Sequence, residues 1–255
     1  MSEILFLGTG AADWELENRN GFFRRNSAAL LNGELMLDCG EHIFDFAECE
    51  GKPNLYDNVT DIIITHNHYD HFNKDSVLKL ADNQKIRVGS SKEIADIIGI
   101  HPNIEHIIFK PLKAIKMDKY EIIPILANHD IITDGNGAAF NYIIKTPDNK
   151  TFFYGLDGAW FLRPSWQEFK NHKFDAMVFD CTIGDRFAGN QFEHNSIPML
   201  KMILDGLKYY SLISDNTLLI ASHLARTLHV SHEETANILK KLDMITAYDG
   251  MQLTF

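Results

Sequence analysis

The chain has 255 residues, of which 45% are hydrophobic and 23% are charged, a composition typical of a globular protein with a sizeable core. Its formal net charge of −11 argues against a general nucleic-acid-binding surface, which needs Lys and Arg side chains facing phosphates. The N-terminus lacks the basic region and the apolar core of a signal peptide, and no apolar run could span a bilayer. Cys39, Cys49 and Cys181 form no CxxC pair. We therefore expect a reduced, cytoplasmic protein that does not bind membranes.

The first half of the chain predicts mainly strands. EILFLGTG predicts a strand that ends in a glycine turn, and SAALL and ELMLDCG predict a pair of strands around a turn at Asn32 and Gly33. NVTDIIITH predicts a buried strand that ends at His66, and KDSVLKLADN has the apolar spacing of a helix. The stretches HPNIEHIIF and WELENRNGFFRR predict loops.

The second half combines further strands with longer helices. NSIPMLKMILDGLKYY predicts a helix with Asn195 as its cap and Pro198 in its first turn. SHEETANILKKL places Ser231 and Glu234 at the spacing of a capping box. No linker or low-complexity segment interrupts the chain, so we predict one α/β domain over residues 1–255. The predicted strands are KIRVGS, EIIPILANH, FNYIIKT, KTFFYGLDG, DAMVFDCT and NTLLIASH.

The stretch HNHYDHF crowds three imidazoles and one carboxylate into six positions, which is a poor way to fill a core or solvate a loop. Neutral imidazoles and carboxylates are ligands for zinc and related ions. Side chains at i and i+2 of an extended segment share a face, so His66 and His68 can hold one ion. After a bend, Asp70 and His71 can hold a second ion beside it.

Three further predicted strands end in a residue that can bind metal: His129, Asp157 and His223. Strand ends followed by loops are where α/β folds build sites. Taken alone, each has an ordinary alternative, because single histidines are usually surface residues and an aspartate among glycines is often a turn residue. Beside the crowded motif, we interpret all three as candidate ligands.

The stretch THNHYDH resembles the HxHxDH signature of the metallo-β-lactamase superfamily, and the resemblance covers nearly the whole chain. The GTG turn, LDCG, the HxHxDH loop and a closing DGM follow in the family's order. Within the superfamily the chain looks most like the PhnP-like phosphodiesterase subgroup, and more distantly like ribonuclease Z. VFDC followed by His194 in EHNS carries the subgroup resemblance, because that subgroup has a histidine there that is not a metal ligand.

The resemblance implies an αββα fold, a four-layer sandwich of two mixed sheets with helices outside. It also implies two divalent metal ions, Zn²⁺ or Mn²⁺, at one edge of the sandwich. The implied ligands are His66, His68 and His129 for the first ion, Asp70, His71 and His223 for the second, and Asp157 as the bridge.

The implied activity is that of a phosphodiesterase, in which a hydroxide that bridges two metals attacks a small or cyclic phosphodiester. His194 lies just before a predicted helix, whose N-terminus favours an anion. It could contact the phosphate or protonate the leaving oxygen, and its ordinary alternative is a capping neighbour without a catalytic role. Family analogy implies a homodimer, and we expect no long nucleic acid as a partner.

Two other functions stay open at this point. A thioester or lactone hydrolase would use the same metals, and a metal-stabilised binding protein would not be an enzyme. The chain also departs from the subgroup, because AADWELENRNGFFRR has no cysteine to hold the extra structural zinc, which we expect to be absent. The second histidine of the family's HISH ending is Arg226 here, and Asp249 is either a partner of a ligand histidine or a turn residue.

Overall fold

Strands and helices alternate along a computed structural model that describes residues 1–15, 22–82, 84–129, 138–185 and 192–255. The strands are β1 (Glu3–Gly8), β2 (Ala28–Leu31), β3 (Leu35–Leu37), β4 (Asp61–Ile63), β5 (Ile86–Ser90), β6 (Ile104–Ile108), β7 (Ile115–Met117), β8 (Tyr120–Leu126), β9 (Phe140–Lys145), β10 (Thr151–Gly155), β11 (Ala176–Asp180), β12 (Leu218–Ser222), β13 (Met244–Thr246) and β14 (Gln252–Thr254). The α-helices are α1 (Ile43–Cys49), α2 (Lys74–Ala81), α3 (Lys92–Ile98), α4 (Arg163–Phe169), α5 (Ile197–Tyr209) and α6 (His232–Leu239), and a 3-10 turn covers Lys240–Leu242.

The strands form two seven-stranded mixed sheets. The first has the order β14-β1-β2-β3-β4-β5-β6, and the second has the order β13-β12-β11-β10-β9-β8-β7. Strands β3 to β6 are parallel in the first sheet, as are β10 to β13 in the second. The other strand pairs are antiparallel.

Three buried clusters hold the layers together and confirm the αββα sandwich. The central cluster joins the inner faces of the sheets, for example Phe6 and Ile63 from the first sheet with Tyr142 and Ile220 from the second. A second cluster packs α1, α2 and α3 on the outer face of the first sheet. A third packs α4, α5 and α6 on the outer face of the second sheet. Burial of these apolar side chains is the main force that keeps both sheets in register with their helices.

Several local predictions are confirmed. Asn32 and Gly33 take positive φ angles of 52° and 74° and join β2 to β3, as a tight hairpin requires. Ser231 and Glu234 form the capping box of α6. Pro198 lies in the first turn of α5, but the N-cap is Ser196 and not Asn195, whose side chain instead binds Gly158 and Trp160 in the loop after β10.

Two predicted segments differ from the structure. The prediction of a loop for HPNIEHIIF is wrong, because Ile104–Ile108 forms the edge strand β6. An edge strand has a neighbour on one side only, and its half-exposed residues hide the alternation that marks a strand. Strand β4 ends at Ile63, so His66 lies in the loop beyond it. Residues 16–21 of WELENRNGFFRR lie outside the described residues, so the prediction of a loop there is not tested.

No helix in the described part of the chain is long and apolar enough to cross a bilayer.

Candidate metal centre

The ends of four strands bring the candidate ligands to one edge of the sandwich. His66 follows β4 of the first sheet, whereas His129, Asp157 and His223 follow β8, β10 and β12 of the second sheet. The loop after β4 also carries His68, Asp70 and His71. Packing of the two sheets face to face therefore brings together ligand-type residues that lie up to 157 positions apart in the sequence (His66 to His223).

The first group of candidate ligands contains His66, His68, His129 and Asp157, with one ligand atom from each within 4.8 Å of the others. The Nε2 atoms of His66 and His129 lie 3.1 Å and 3.5 Å from Asp157 Oδ2. His68 presents its Nδ1 atom, which lies 3.2 Å from Nε2 of His129. Three imidazoles and one carboxylate around a common point suit a divalent first-row ion.

The second group contains Asp70, His71, His223 and the same Asp157. The Nε2 atom of His223 lies 3.0 Å from Asp157 Oδ1 and 3.3 Å from Asp70 Oδ2. The Nε2 atom of His71 lies 3.3 Å from Asp157 Oδ2. The two oxygens of Asp157 thus face both groups, which is the position that the resemblance implies for a bridging carboxylate.

Two buried polar atoms show that these residues fit metal ions. Nε2 of His66 and Oδ1 of Asp157 are close to Asp157 Oδ2 and to Nε2 of His223, respectively, but neither atom is oriented for a hydrogen bond within the described residues, although both side chains are buried. Buried polar atoms are normally paired, so this nitrogen and this carboxylate oxygen, one in each neighbouring ligand group, fit a bound cation. The seven predicted ligands therefore lie together in the way that a divalent-metal site needs. The assignment of each ligand to one of two ions stays a prediction.

Asp38, which the sequence reasoning missed, orients the rings of two candidate ligand histidines, His66 and His71. Its Oδ2 accepts a hydrogen bond of 2.8 Å from Nδ1 of His71, and its Oδ1 accepts one of 2.9 Å from the hydroxyl of Thr65. Because that hydroxyl donates to Asp38, its oxygen is left to accept from Nδ1 of His66 at 3.0 Å. Both hydrogen bonds therefore engage Nδ1 of the ring and leave Nε2 as the nitrogen that faces the centre, which is the nitrogen that a metal would use.

Asp180 orients the ring of His223, a candidate ligand on the other side of the centre, through the hydroxyl of Thr182. The hydroxyl of Thr182 donates to Asp180 Oδ2 at 3.0 Å and accepts from Nδ1 of His223 at 2.7 Å. Nδ1 of His129 donates to the carbonyl of Glu193, at 3.3 Å. The only sequence signal for Asp38 and Asp180 was their place at a strand end, in LDCG and VFDC.

The backbone is held in an unusual conformation at three of these residues. Asp38, Asp157 and His223 have φ angles of 61°, 50° and 59°, in the left-handed region that residues other than glycine seldom adopt. Such conformations persist where the surrounding structure imposes them, and they cluster at functional sites.

The electrostatics of the centre favour a cation. Burial would raise the pKa of Asp157, but the adjacent His223 and His71 hold that pKa well below its ordinary value. Burial also opposes a charge on His71, yet Asp157, Asp70 and Asp38 raise its pKa well above its ordinary value. The carboxylates that draw a proton to His71 would equally draw a divalent ion to its Nε2. His66, by contrast, has a pKa lowered to about 4 by burial, which keeps it neutral and able to bind metal.

His194 stands beside the two groups and is held by Asp180. Its Nδ1 lies 2.9 Å from Asp180 Oδ2 and 3.5 Å from Asp157 Oδ1. Burial would lower the pKa of His194, but the charge and hydrogen bond of Asp180 raise it to about 9. Asp157, Asp180, His194 and His223 also form a third group of potential ligands, so geometry alone leaves His194 either a proton donor or a ligand.

An open cavity of about 370 Å³ leads to the centre. His194 and five of the seven predicted ligands line it, whereas His66 and His71 are buried beneath. Its lining among the described residues includes the carboxylates of Asp13 and Glu193 but no Lys or Arg.

Arg226 and Asp249 form hydrogen bonds that connect loops around the centre. The backbone N–H of Arg226 donates to Asp13 Oδ1 at 2.7 Å, and its Nε donates to the Asp13 carbonyl at 3.0 Å. Asp249 accepts from the hydroxyl of Thr9 at 2.8 Å and from the backbone N–H of Arg25 at 2.6 Å. Asp249 therefore lies in the closing DGM turn, as one of the two alternatives has it, and its side chain ties that turn to the GTG turn.

Solved structures of low sequence identity share this fold. YhfI from Bacillus subtilis, a metallo-β-lactamase fold protein, is 14% identical with a TM-score of 0.74, covering 99% of this chain and 98% of that chain. A diphosphatase from the PhnP family is 17% identical with a TM-score of 0.74, covering 100% and 97%. Human tRNase Z, short form, is 17% identical with a TM-score of 0.68, covering 99% and 98%. Comparison of the sequence with protein-family models and with curated proteins gives no match.

Proposed function

We propose that this chain, which has the metallo-β-lactamase fold, is a metal-dependent phosphodiesterase that acts on small phosphodiesters. The observation that carries the proposal is the position of His194, which is held by a buried carboxylate directly beside two ligand groups that share Asp157. A protein that only bound metal would not need a protonatable imidazole at that place. The similar structures include one named as a diphosphatase and one named as a tRNase, and these names support a phosphate ester as the bond.

The residues of this chain would hold the ions and set their spacing. His66, His68 and His129 would bind one ion, Asp70, His71 and His223 the other, and Asp157 both. Two bound ions supply a Lewis-acid centre that activates water near neutral pH and stabilises charge on phosphoryl oxygens. Zinc and manganese both suit imidazole and carboxylate ligands.

His194 would donate a proton to the leaving oxygen. Its Nδ1 is bound to Asp180, which leaves Nε2 as the ring nitrogen that can act on a substrate in the cavity. Because the pKa of His194 is raised to about 9, the imidazole carries a proton at neutral pH. A general acid of this kind typically contributes about 10²–10⁴-fold to a rate.

The charges of the cavity favour a small substrate with one negative charge. His194, whose pKa is raised, lies among the described lining residues, which include no Lys or Arg, and Asp13 and Glu193 with their carboxylates line the same cavity. A single phosphodiester group could bind at the ions, whereas the further phosphates of a long nucleic acid would meet these carboxylates.

The experiment is parallel turnover of bis-p-nitrophenyl phosphate, a p-nitrophenyl thioester and a lactone by protein loaded with Zn²⁺ or Mn²⁺. We expect hydrolysis of the phosphodiester that disappears in Asp157→Ala. Faster turnover of the thioester or the lactone would instead support the alternative metal-dependent hydrolase. Absence of turnover on all three by a fully loaded protein would support the binding protein. The predicted homodimer is measured separately, by light scattering of the purified chain.

A further inference from the structure

A second cavity of about 380 Å³ lies next to the cavity of the metal centre. The two cavities have Thr227 and Leu228 in common as lining residues. A volume of this size lies in the range of about 300–1,000 Å³ that small-molecule sites occupy. The apolar part of its lining is aliphatic and comes from Ile183, Ile197, Leu228, Val230 and Ile238.

Two loops form the ridge between the cavities. One follows β11 and the other follows β12, and they are joined by hydrogen bonds from Gly184 N–H to the Leu228 carbonyl, 3.2 Å, and from Ala225 N–H to the Thr182 carbonyl, 3.4 Å. Along the first loop, Thr182 lines the metal cavity and the next residue, Ile183, lines the second cavity. A ligand bound at the metals therefore needs to cross only this ridge to reach apolar surface.

The lining of the second cavity suits an uncharged group. No Lys or Arg lines it within the described part of the chain, and Asp185 contributes a carboxylate. A further phosphate placed there would thus lack a cationic partner. Thr235 lines this cavity and also a smaller neighbouring one, and its buried hydroxyl has no hydrogen-bond partner among the described residues. Because a buried hydroxyl is normally paired, Thr235 points to a ligand that carries a polar atom on a mainly apolar frame.

We propose that the second cavity is a subsite for an uncharged, mainly apolar ring on one ester arm of the substrate. This inference rests on the proposed function, because the phosphoryl group would bind at the metal centre while the ring crosses the ridge at Leu228. It narrows the substrate to a phosphodiester of an aromatic or heterocyclic alcohol or nucleoside, with no second charged group on that arm.

The test is calorimetric binding of phenylphosphonate and methylphosphonate to Zn²⁺-loaded protein, neither of which contains a hydrolysable ester bond. Methylphosphonate reports on the metal centre alone, and the ratio of the two dissociation constants reports on the cavity. We expect phenylphosphonate to bind at least about tenfold more tightly, because burial of an aromatic ring removes a large apolar area from water. In Ile238→Phe the cavity is filled, and the ratio should fall toward one with methylphosphonate unchanged.

Val230→Phe provides a second filling variant at a residue that is 44% exposed, so its effect does not depend on repacking the core. Ile97→Phe is the matched control, because Ile97 is an exposed residue of α3, a helix on the outer face of the other sheet. The subsite would be overturned if the unmodified chain bound phenylphosphonate and methylphosphonate equally well. It would also be overturned if the preference for phenylphosphonate remained in both filling variants. Turnover of bis-p-nitrophenyl phosphate with equal phosphonate affinities would overturn the subsite alone, whereas binding of neither phosphonate would overturn the proposed function and the subsite together.

Discussion

Oδ2 of Asp180 lies 2.9 Å from Nδ1 of His194. Asp180 is fully buried and also accepts hydrogen bonds from the backbone N–H groups of Thr182 and Asn195, so its carboxylate is held rigidly. The pair therefore fixes the orientation of the imidazole, and it leaves one ring nitrogen for chemistry in the cavity.

His194→Ala should separate a proton donor from a ligand. We expect both metal ions to stay bound, because the seven predicted ligands hold them, and we expect the rate to fall by about 10²–10⁴-fold on esters with poor leaving groups. The fall should shrink for p-nitrophenolate, which needs little protonation on leaving. Metal content by elemental analysis and rates on esters of graded leaving-group pKa provide the measurement.

A similar loss on all esters, with part of it in KM, would make His194 a phosphate contact instead. Loss of an ion would show that the third group, with Asp157, Asp180 and His223, binds metal. An unchanged rate with both ions bound would remove His194 from the mechanism.

Asp180→Asn should act through His194. Without the carboxylate charge, the pKa of His194 should fall, so less of the imidazole is protonated at neutral pH and the rate decreases. Because both residues would act as a unit, adding Asp180→Asn to His194→Ala should cost little more than His194→Ala alone. Fully additive losses in this double-mutant cycle would show that Asp180 acts elsewhere, for example through Thr182 on His223.

Asp157→Ala should empty the centre. The carboxylate faces both ligand groups, and it would offset the repulsion between two neighbouring cations. We expect about two equivalents of metal in the unmodified chain, measured without chelators, and a clear decrease with no turnover in the variant. A variant that retains both ions and its rate would contradict the bridging assignment.

Asp38→Asn should weaken metal binding without removing a ligand. Asparagine can no longer accept strongly from both His71 and Thr65, so the tautomers of the ligand histidines are less well fixed. Loss of such a partner typically costs about 10–100-fold in metal affinity, which a chelator titration measures. Asp61→Asn is the matched control, because Asp61 is equally buried on β4 but pairs with Arg87. Equal effects of both variants on metal affinity would point to general destabilisation.

His232 should contribute to instability in acid. Burial and the nearby Arg24 lower its pKa below 6.5, and its Nδ1 lies 2.9 Å from Nη2 of Arg24, from which only a neutral ring can accept. Below pH 6.5 the unfolded chain binds a proton at this residue before the folded chain does, so the free energy of unfolding falls as the pH falls. His232→Gln keeps an acceptor and does not titrate, so its unfolding free energy should decline less between pH 7 and pH 5, measured by urea denaturation at saturating metal. An unchanged pH dependence would contradict this account.

Local sequence patterns predicted the features that depend on near neighbours. The hairpin at Asn32 and Gly33, the capping box of α6 and most strands follow from residues a few positions apart. The sequence did not predict α1, α3 or α4, which are seven residues each and are stabilised by packing on a sheet more than by their own propensity. The edge strand β6 was missed for a related reason, since only one neighbouring strand identifies it.

The same division applies to the metal centre. The sequence by itself determined the types of ligand and their order along the chain, because the chemistry of imidazole and carboxylate is local and the HxHxDH spacing is short. Only the tertiary structure decided which atoms meet: it brings Asp157 and His223 from the second sheet to the loop of His66 and His71. It also decided which nitrogen four of these histidines present, through Asp38 for His66 and His71 and through Asp180 for His194 and His223, because a hydrogen bond across 33 or 14 positions exists only after the sheets and loops have packed.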